Sequence, residues 1–147
     1  IQAAILLAEL EIFSDEIKQR RKIAKRSDEL LGRTNVSTPY IAPYNTSVYA
    51  QYSIQSDNRC RICGNLARRG IPTAIHYPSP LHRLPVFQKN RAETKFPVAE
   101  QLSKRIFSLP MHPYLTEEAQ ISITHALISS LSKEKQPTMM TAAHAAT

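Results

Sequence analysis

Two cysteines and two histidines follow one another at the spacing of a zinc ligand set. Two residues separate Cys60 from Cys63, twelve separate Cys63 from His76, and five separate His76 from His82. Thiolates and imidazole nitrogens in this order can hold a tetrahedral zinc ion, as in a two-Cys, two-His finger. In a chain with a net charge of +7, such a finger would indicate nucleic-acid binding.

The residues around this pattern argue against a zinc site. A finger places both histidines on one helix. Here Pro78 and Pro80 stand between them, and proline is excluded from a helix interior. The cysteines fall near the start of a predicted helix, whereas a finger holds them in a hairpin. We therefore expect no bound metal and interpret the cysteines as two ordinary thiols.

No catalytic set emerges from the other reactive side chains. Serine and threonine are plentiful, but none occurs in a G-x-S-x-G turn. Only three glycines are present, too few and too scattered for a phosphate-binding loop. His125 and His144 have no sequence neighbours that suggest chemistry. We expect no complete active site in this chain.

Composition points to one soluble domain. The chain has 147 residues, of which 42% are hydrophobic and 21% charged. Glu9 and Glu11 interrupt the apolar start, and no run approaches the roughly 18 apolar residues of a membrane span. Two cysteines and no secretory leader favour the reducing cytoplasm. The basic residues are dispersed after the first helix, so the positive charge favours a domain whose acidic partners lie elsewhere in a larger protein.

Hydrophobic periodicity and helix-ending residues predict the elements that position these side chains. Helices are predicted over residues 1–31, 59–69, 98–107 and 116–132, and strands over 46–56 and 72–77. The result is an α/β (α+β) small domain, with a long N-terminal helix and a small, mostly antiparallel sheet covered by helices. We assign residues 1–132 to this domain, with 1–31 as a connecting helix, and expect 133–147 to be a disordered tail.

Three separated stretches resemble one family. They are I-Q-A-A-I-L-L-A-E-L-E at the start, G-I-P-T-A-I-H-Y-P-S-P-L-H over 70–82, and F-P-V-A-E-Q-L-S-K-R-I-F-S-L-P-M-H-P-Y-L-T-E-E over 96–118. In this order they resemble the carboxy-terminal small domain of the DegT/StrS-type sugar aminotransferases, which share the fold of type I pyridoxal-phosphate (PLP) aminotransferases. The resemblance covers about residues 1–131.

The resemblance implies a transaminase that moves an amino group, with glutamate as expected donor, to a nucleotide-linked keto-sugar for surface polysaccharide. In the family a larger amino-terminal domain binds PLP through a lysine, and this chain begins downstream of it. We therefore expect a fragment that binds no PLP alone, is inactive alone, and in the complete enzyme joins a PLP-binding domain within a homodimer.

Candidate substrate-binding residues follow from the same resemblance. His76 and Tyr77, with His82 nearby, occupy the loop that faces substrate in the family, and imidazole and phenol groups can hydrogen-bond sugar hydroxyls or phosphate. Asn45 and Tyr49 are further candidates beside the first predicted strand. The alternative for the three loop residues is that they only anchor or cap the loop.

Two functions from other classes remain as alternatives. One is a basic nucleic-acid-binding module, with or without zinc, whose affinity would fall steeply with salt. The other is a remnant that binds a full-length aminotransferase subunit. An exposed apolar patch on the first helix would favour this last reading, because such a patch is a liability unless it is covered.

Overall fold

The computed structural model describes residues 1–87 and 95–131. Its main elements are α1 (Gln2–Leu31), β1 (Tyr52–Gln55), α2 (Arg59–Arg68), α3 (Pro97–Arg105), β2 (Ile106–Leu109) and α4 (Glu117–Leu131), with a short 3₁₀ turn at Leu81–Arg83. The predicted tail at 133–147 lies outside the described residues. The predicted small α+β domain with a long first helix is confirmed, although it is mostly helical and its sheet has two strands.

Helix α1 is long because its sequence contains neither proline nor glycine before Gly32, but only its second half enters the core. Ile23, Ala24 and Leu31 are buried there, whereas every residue from 1 to 15 is exposed. Arg20 fixes the middle of the helix, since its Nη1 lies 3.4 Å from the carbonyl oxygens of both Tyr49 and Met111. The amino-terminal half is therefore an apolar arm that stays exposed among the described residues.

The sheet is smaller than its sequence pattern predicts. Strand β1 pairs antiparallel with β2, with Tyr52 opposite Leu109 and Ile54 opposite Phe107. The predicted strand at 46–56 is wrong in its first half, because Tyr49 has a left-handed backbone with φ of 47° that interrupts an extended run. The predicted strand at 72–77 is also wrong, since its pairing is an isolated bridge to β2 at Ala74.

Helix α2 ends as its sequence predicts. Gly70 adopts a φ of 71°, which only glycine reaches without strain. Its N–H donates to the Ala67 carbonyl and the Ile71 N–H donates to the Leu66 carbonyl, each at 3.0 Å. These two hydrogen bonds form a Schellman motif. The motif turns the chain out of the helix into the segment that carries His76 and Tyr77.

The junction of α3 with β2 corrects the third predicted helix. The periodicity predicted a helix through residue 107, but α3 ends at Arg105 and residues 106–109 form β2. Arg59 at the start of α2 stabilises the junction by donating through Nη1 to the carbonyl oxygens of Ser103 and Ile106. Phe107 is thereby fully buried as a strand residue.

The core lies where the two strands meet the helices. Its buried members are Ala24, Leu31, Val36, Tyr52, Ile54, Ile62, Leu66, Phe107, Leu109, Ala126 and Leu127. Helix α4 packs against both α1 and α2 through this cluster. None of the helices formed by residues 1–87 and 95–131 has the length and apolar character needed to cross a membrane.

Candidate functional site

The loop cleft lies between the segment at 76–84 and helix α3. Its volume is about 640 Å³. Its lining residues are His76, Tyr77, Pro78, Ser79, Pro80, Leu81 and Leu84 from the segment, Ala99, Leu102 and Ser103 from α3, and Ile106 from β2. The predicted substrate-facing loop therefore borders a real cavity, and one whose walls are mainly apolar.

One wall of the cleft comes from a single face of α3. Ala99, Leu102 and Ser103 recur at steps of three and four residues, which places them on one side of the helix. Pro97 is the first helical residue, where its fixed φ is compatible with the helix. The signal for this wall was present in the sequence, but periodicity alone does not say which element faces it.

His76 and Tyr77 stand at the mouth of the cleft. Their ring centroids are 5.6 Å apart with an interplanar angle of 84°, and the peptide bond that joins them is cis. Both side chains are exposed, Tyr77 to 73%. His76 also borders a second cavity of about 230 Å³ beside Gln51 and Met111. Two rings at right angles present an imidazole and a phenol hydroxyl, each able to donate and accept hydrogen bonds.

His82 has a different environment from His76 and Tyr77. Its side chain is 11% exposed, its Nε2 lies 2.9 Å from Oε1 of Glu100, and its ring stands 4.8 Å from that of Phe96. These contacts fasten the short 3₁₀ turn at Leu81–Arg83 to the start of α3. They match the anchoring role that the sequence left open for this residue, and its contact with substrate stays a prediction.

Glu100, which the sequence analysis did not single out, accepts several hydrogen bonds where the loop meets α3. Besides His82, Arg83 donates to the same oxygen at 3.0 Å, as does the backbone N–H of Phe96 at 3.4 Å. The hydrogen bond from His82 and then that from Arg83 lower the pKa of the Glu100 carboxyl to about 2. These hydrogen bonds therefore favour the ionised form of the Glu100 carboxyl.

Asn45 and Tyr49 do not line the loop cleft. Asn45 is exposed, and its backbone N–H donates to the Ala42 carbonyl at 2.8 Å. Tyr49 is half-buried with its ring centroid 6.3 Å from that of Tyr52, and burial, with a smaller effect of the Asp28 carboxylate, raises the pKa of its hydroxyl. The structure thus separates these two candidates from the histidine–tyrosine pair, and their roles stay predictions.

The two cysteines lie in the first turns of α2 and are free thiols, Cys60 exposed and Cys63 half-buried. His82 is already hydrogen-bonded to Glu100. Within the described parts of the chain, no three His, Cys, Asp or Glu side chains come together in a way that could hold a metal ion.

The lysines do not suit a cofactor that needs a buried Schiff base. Lys18, Lys22, Lys25, Lys95 and Lys104, the five in the described ranges, are all exposed. Lys18 pairs with Asp15 at 2.8 Å, and none of these five lysines borders the loop cleft. A lysine that carries a cofactor aldehyde needs a shielded site beside the substrate. Residues 1–87 and 95–131 do not offer one.

Comparison with known families decides what kind of domain carries this cleft. The profile of the DegT/DnrJ/EryC1/StrS aminotransferase family matches residues 1–128. The chain belongs to this family. The resemblance inferred from three short stretches is thereby confirmed over most of the sequence.

Its relatives within the DegT/DnrJ/EryC1/StrS family include enzymes that act on nucleotide sugars. The chain is 44% identical over 130 residues to the UDP-2-acetamido-2-deoxy-3-oxo-D-glucuronate aminotransferase of Pseudomonas aeruginosa, covering 88% of this chain and 35% of that enzyme. A solved family member from Brucella abortus is 42% identical, with a TM-score of 0.82 over 90% of this chain and 35% of its own. S. venezuelae DesV, solved with a ketimine intermediate, is 26% identical, with a TM-score of 0.82 over 92% of this chain and 37% of its own.

The match is partial on the side of the relatives. The chain spans about a third of the length of the enzymes it resembles. The fold of one part of a sugar aminotransferase is therefore present here, and the activity of the whole enzyme belongs to a proposal.

Proposed function

We propose that this chain is the carboxy-terminal domain of a PLP-dependent aminotransferase that transfers an amino group to a nucleotide-linked keto-sugar. The observation that carries the proposal is the 44% identity to an enzyme named for a UDP-linked 3-keto sugar acid. The loop cleft supplies a physical counterpart, because it combines apolar walls with polar groups at one edge. Small-molecule sites commonly have this composition.

His76 and Tyr77 are proposed to contact the nucleotide sugar. Both are exposed at the cleft mouth, and together they offer a ring nitrogen and a phenol oxygen to hydroxyl or phosphate groups. The chain that follows the pair contains Pro78 and Pro80, which restrict the backbone, so less entropy is lost when the pair is held in place. In this proposal the domain binds and orients substrate.

The cofactor is proposed to sit on another part of the polypeptide. PLP, when bound, acts as an electron sink that lets an amino group leave its donor, expected to be glutamate. Since the five described lysines are exposed and away from the cleft, we propose that the Schiff-base lysine belongs to a separate PLP-binding domain and that the chain alone is inactive. We further propose a cytoplasmic enzyme of surface-polysaccharide synthesis.

The exposed amino-terminal half of α1 supports the proposal that another part of the enzyme packs against this domain. Ile5, Leu6, Leu7, Leu10, Ile12 and Phe13 are each half or more exposed. Removing apolar surface from water lowers the free energy by about 25 cal/mol for each Å². We propose that the PLP-binding domain packs on this arm, within a homodimer of the complete enzyme.

A chimeric enzyme tests the proposal. Residues 1–131 replace the matching third of the Pseudomonas aeruginosa aminotransferase, and transamination of its keto-sugar substrate is measured. We expect activity, and a loss of roughly 10- to 100-fold in kcat/KM for His76→Ala and for Tyr77→Phe, the effect of one lost hydrogen bond to a charged or strongly polar group.

Matched controls lie on the same domain. His125→Ala on α4 and Tyr40→Phe, both at exposed positions, should leave kcat/KM unchanged. A folded chimera without activity would count against the proposed function. An active chimera in which His76→Ala and Tyr77→Phe behave like their controls would remove these two residues from the substrate site.

One observation favours a second candidate function, that of a remnant that binds a full-length aminotransferase subunit. The exposed apolar arm of α1 suits this role as well as it suits a domain of the same polypeptide. Co-expression with the intact Pseudomonas enzyme separates the two. A stable complex that is lost in Leu6→Gln/Leu10→Gln would support the remnant.

A further inference from the structure

The segment that presents His76 and Tyr77 is fastened at two points. At its start, the Ala74 N–H donates to the Ser108 carbonyl oxygen at 3.2 Å, and the Ala74 carbonyl oxygen accepts from the Ser108 N–H at 2.7 Å. This pair of hydrogen bonds joins the segment to β2. At its end, His82 and Arg83 both reach Oε1 of Glu100 on α3. His76 and Tyr77 thus lie in a loop that is attached to the sheet at one end and, at the other, to the helix that forms the opposite wall of the cleft.

The chain between the pair and the second anchor is short and stiff. Tyr77 and His82 are separated by four residues, two of them proline. Proline fixes its own φ and restricts the residue before it to extended conformations. Pro80 accordingly has φ of −71° and ψ of 152°. The two prolines therefore leave few backbone rotations that could absorb a displacement between His82 and Tyr77.

We propose that Glu100 is a positioning residue, which ties the loop wall of the cleft to the helix wall and so sets where His76 and Tyr77 stand. One oxygen of Glu100 accepts from His82, Arg83 and the Phe96 N–H, so a single carboxylate holds both walls. The rings of His82 and Phe96, with centroids 4.8 Å apart, stabilise the same contact between the loop and the start of α3. The consequence for substrate rests on the proposed function.

The contacts of Glu100 with the loop lie outside the buried core, so their loss can be distinguished from a loss of fold stability. The Glu100 side chain is 27% exposed, and neither Glu100 nor His82 belongs to the buried core. Tyr52 and Phe107, which fill that core, are fully buried and do not line the cleft. Loss of the carboxylate should therefore move the loop while the core keeps its packing.

Side-chain NMR of the 147-residue chain tests this directly. In Glu100→Ala, we expect the signals of the His76 and Tyr77 rings to shift while those of the buried Tyr52 ring stay in place. Glu100→Gln keeps an acceptor oxygen and should give a smaller shift. Glu118→Ala removes an exposed carboxylate from the first turn of α4 and should change none of these signals. Unchanged His76 and Tyr77 signals, or equal shifts at Tyr52 and Tyr77, would overturn the assignment.

Titration with UDP-N-acetylglucosamine adds the functional readout. If the freed loop spends about a tenth to a third of its time in the bound position, affinity should fall roughly 3- to 10-fold in Glu100→Ala, since affinity scales with the competent fraction. Equal affinity in Glu100→Ala and Glu118→Ala would refute the positioning role. Failure of the unmodified chain to bind would instead count against the proposed function, and the NMR comparison would still decide the role of Glu100.

Discussion

Gly70 and Gly64 should respond to alanine in opposite directions. Gly70 has φ of 71°, and a Cβ built there meets nothing within 4 Å, so only its backbone conformation opposes a side chain. For an L-residue the left-handed region costs about 1–2 kcal/mol. Gly64 lies inside α2, where its Cβ would meet only Nη1 of Arg68 at 3.9 Å, an ordinary contact. Alanine in a helix interior stabilises by about 0.5–1 kcal/mol relative to glycine.

Urea unfolding of the 147-residue chain, followed by far-UV circular dichroism, measures both effects. Gly70→Ala should lower the free energy of unfolding by about 1–2 kcal/mol, and Gly64→Ala should raise it by about half as much. Gly70→Asn should lose less than Gly70→Ala, because asparagine tolerates the left-handed region. Two alanine variants with changes of the same sign, or a Gly70→Asn no better than Gly70→Ala, would refute the Schellman ending of α2 and the path into the cleft segment.

Three further outcomes follow from the contacts. Because the folded protein lowers the pKa of Glu100 from 4.5 to about 2, its contribution to stability is complete above 4.5 and is lost as the pH falls toward 2, so acid unfolding of Glu100→Gln should show a weaker pH dependence there. Tyr52→Phe leaves Asp28 without the hydroxyl that donates to it at 2.5 Å and should cost about 1.5–3 kcal/mol in urea unfolding. Leu6→Gln/Leu10→Gln should reduce self-association of the chain in analytical ultracentrifugation, and unchanged association would argue against the α1 arm as a docking surface.

The sequence predicted the helices well because their signals are local. Helix α1 contains no breaker before Gly32, and α2 ends at a glycine whose backbone requires that residue. Strand β2 was missed because residues 106–109 continue the apolar pattern of α3, so periodicity alone extends the helix. The first strand was predicted too long because Val48 and Ala50 alternate correctly, although Tyr49 between them is left-handed and Val48 is 48% exposed.

The candidate site was predictable only in part, because local sequence patterns do not reveal contacts between elements that are distant in sequence. His76 and Tyr77 were found through their motif, and they border the cavity that the structure reveals. The contact between His82 and Glu100 joins residues 18 positions apart, on two elements whose relative placement depends on the whole fold. No local pattern indicates such a contact. Sequence alone therefore left His82 between a binding and an anchoring role.

Borohydride trapping in the chimeric enzyme tests the central claim, that this domain supplies substrate contacts while the cofactor lysine lies elsewhere. PLP is added, the imine is reduced, and peptide mass spectrometry locates the modified lysine. We expect one stoichiometric adduct in the Pseudomonas portion and none in residues 1–131, with no stoichiometric adduct on the 147-residue chain alone. A stoichiometric adduct on one lysine of this chain would contradict it.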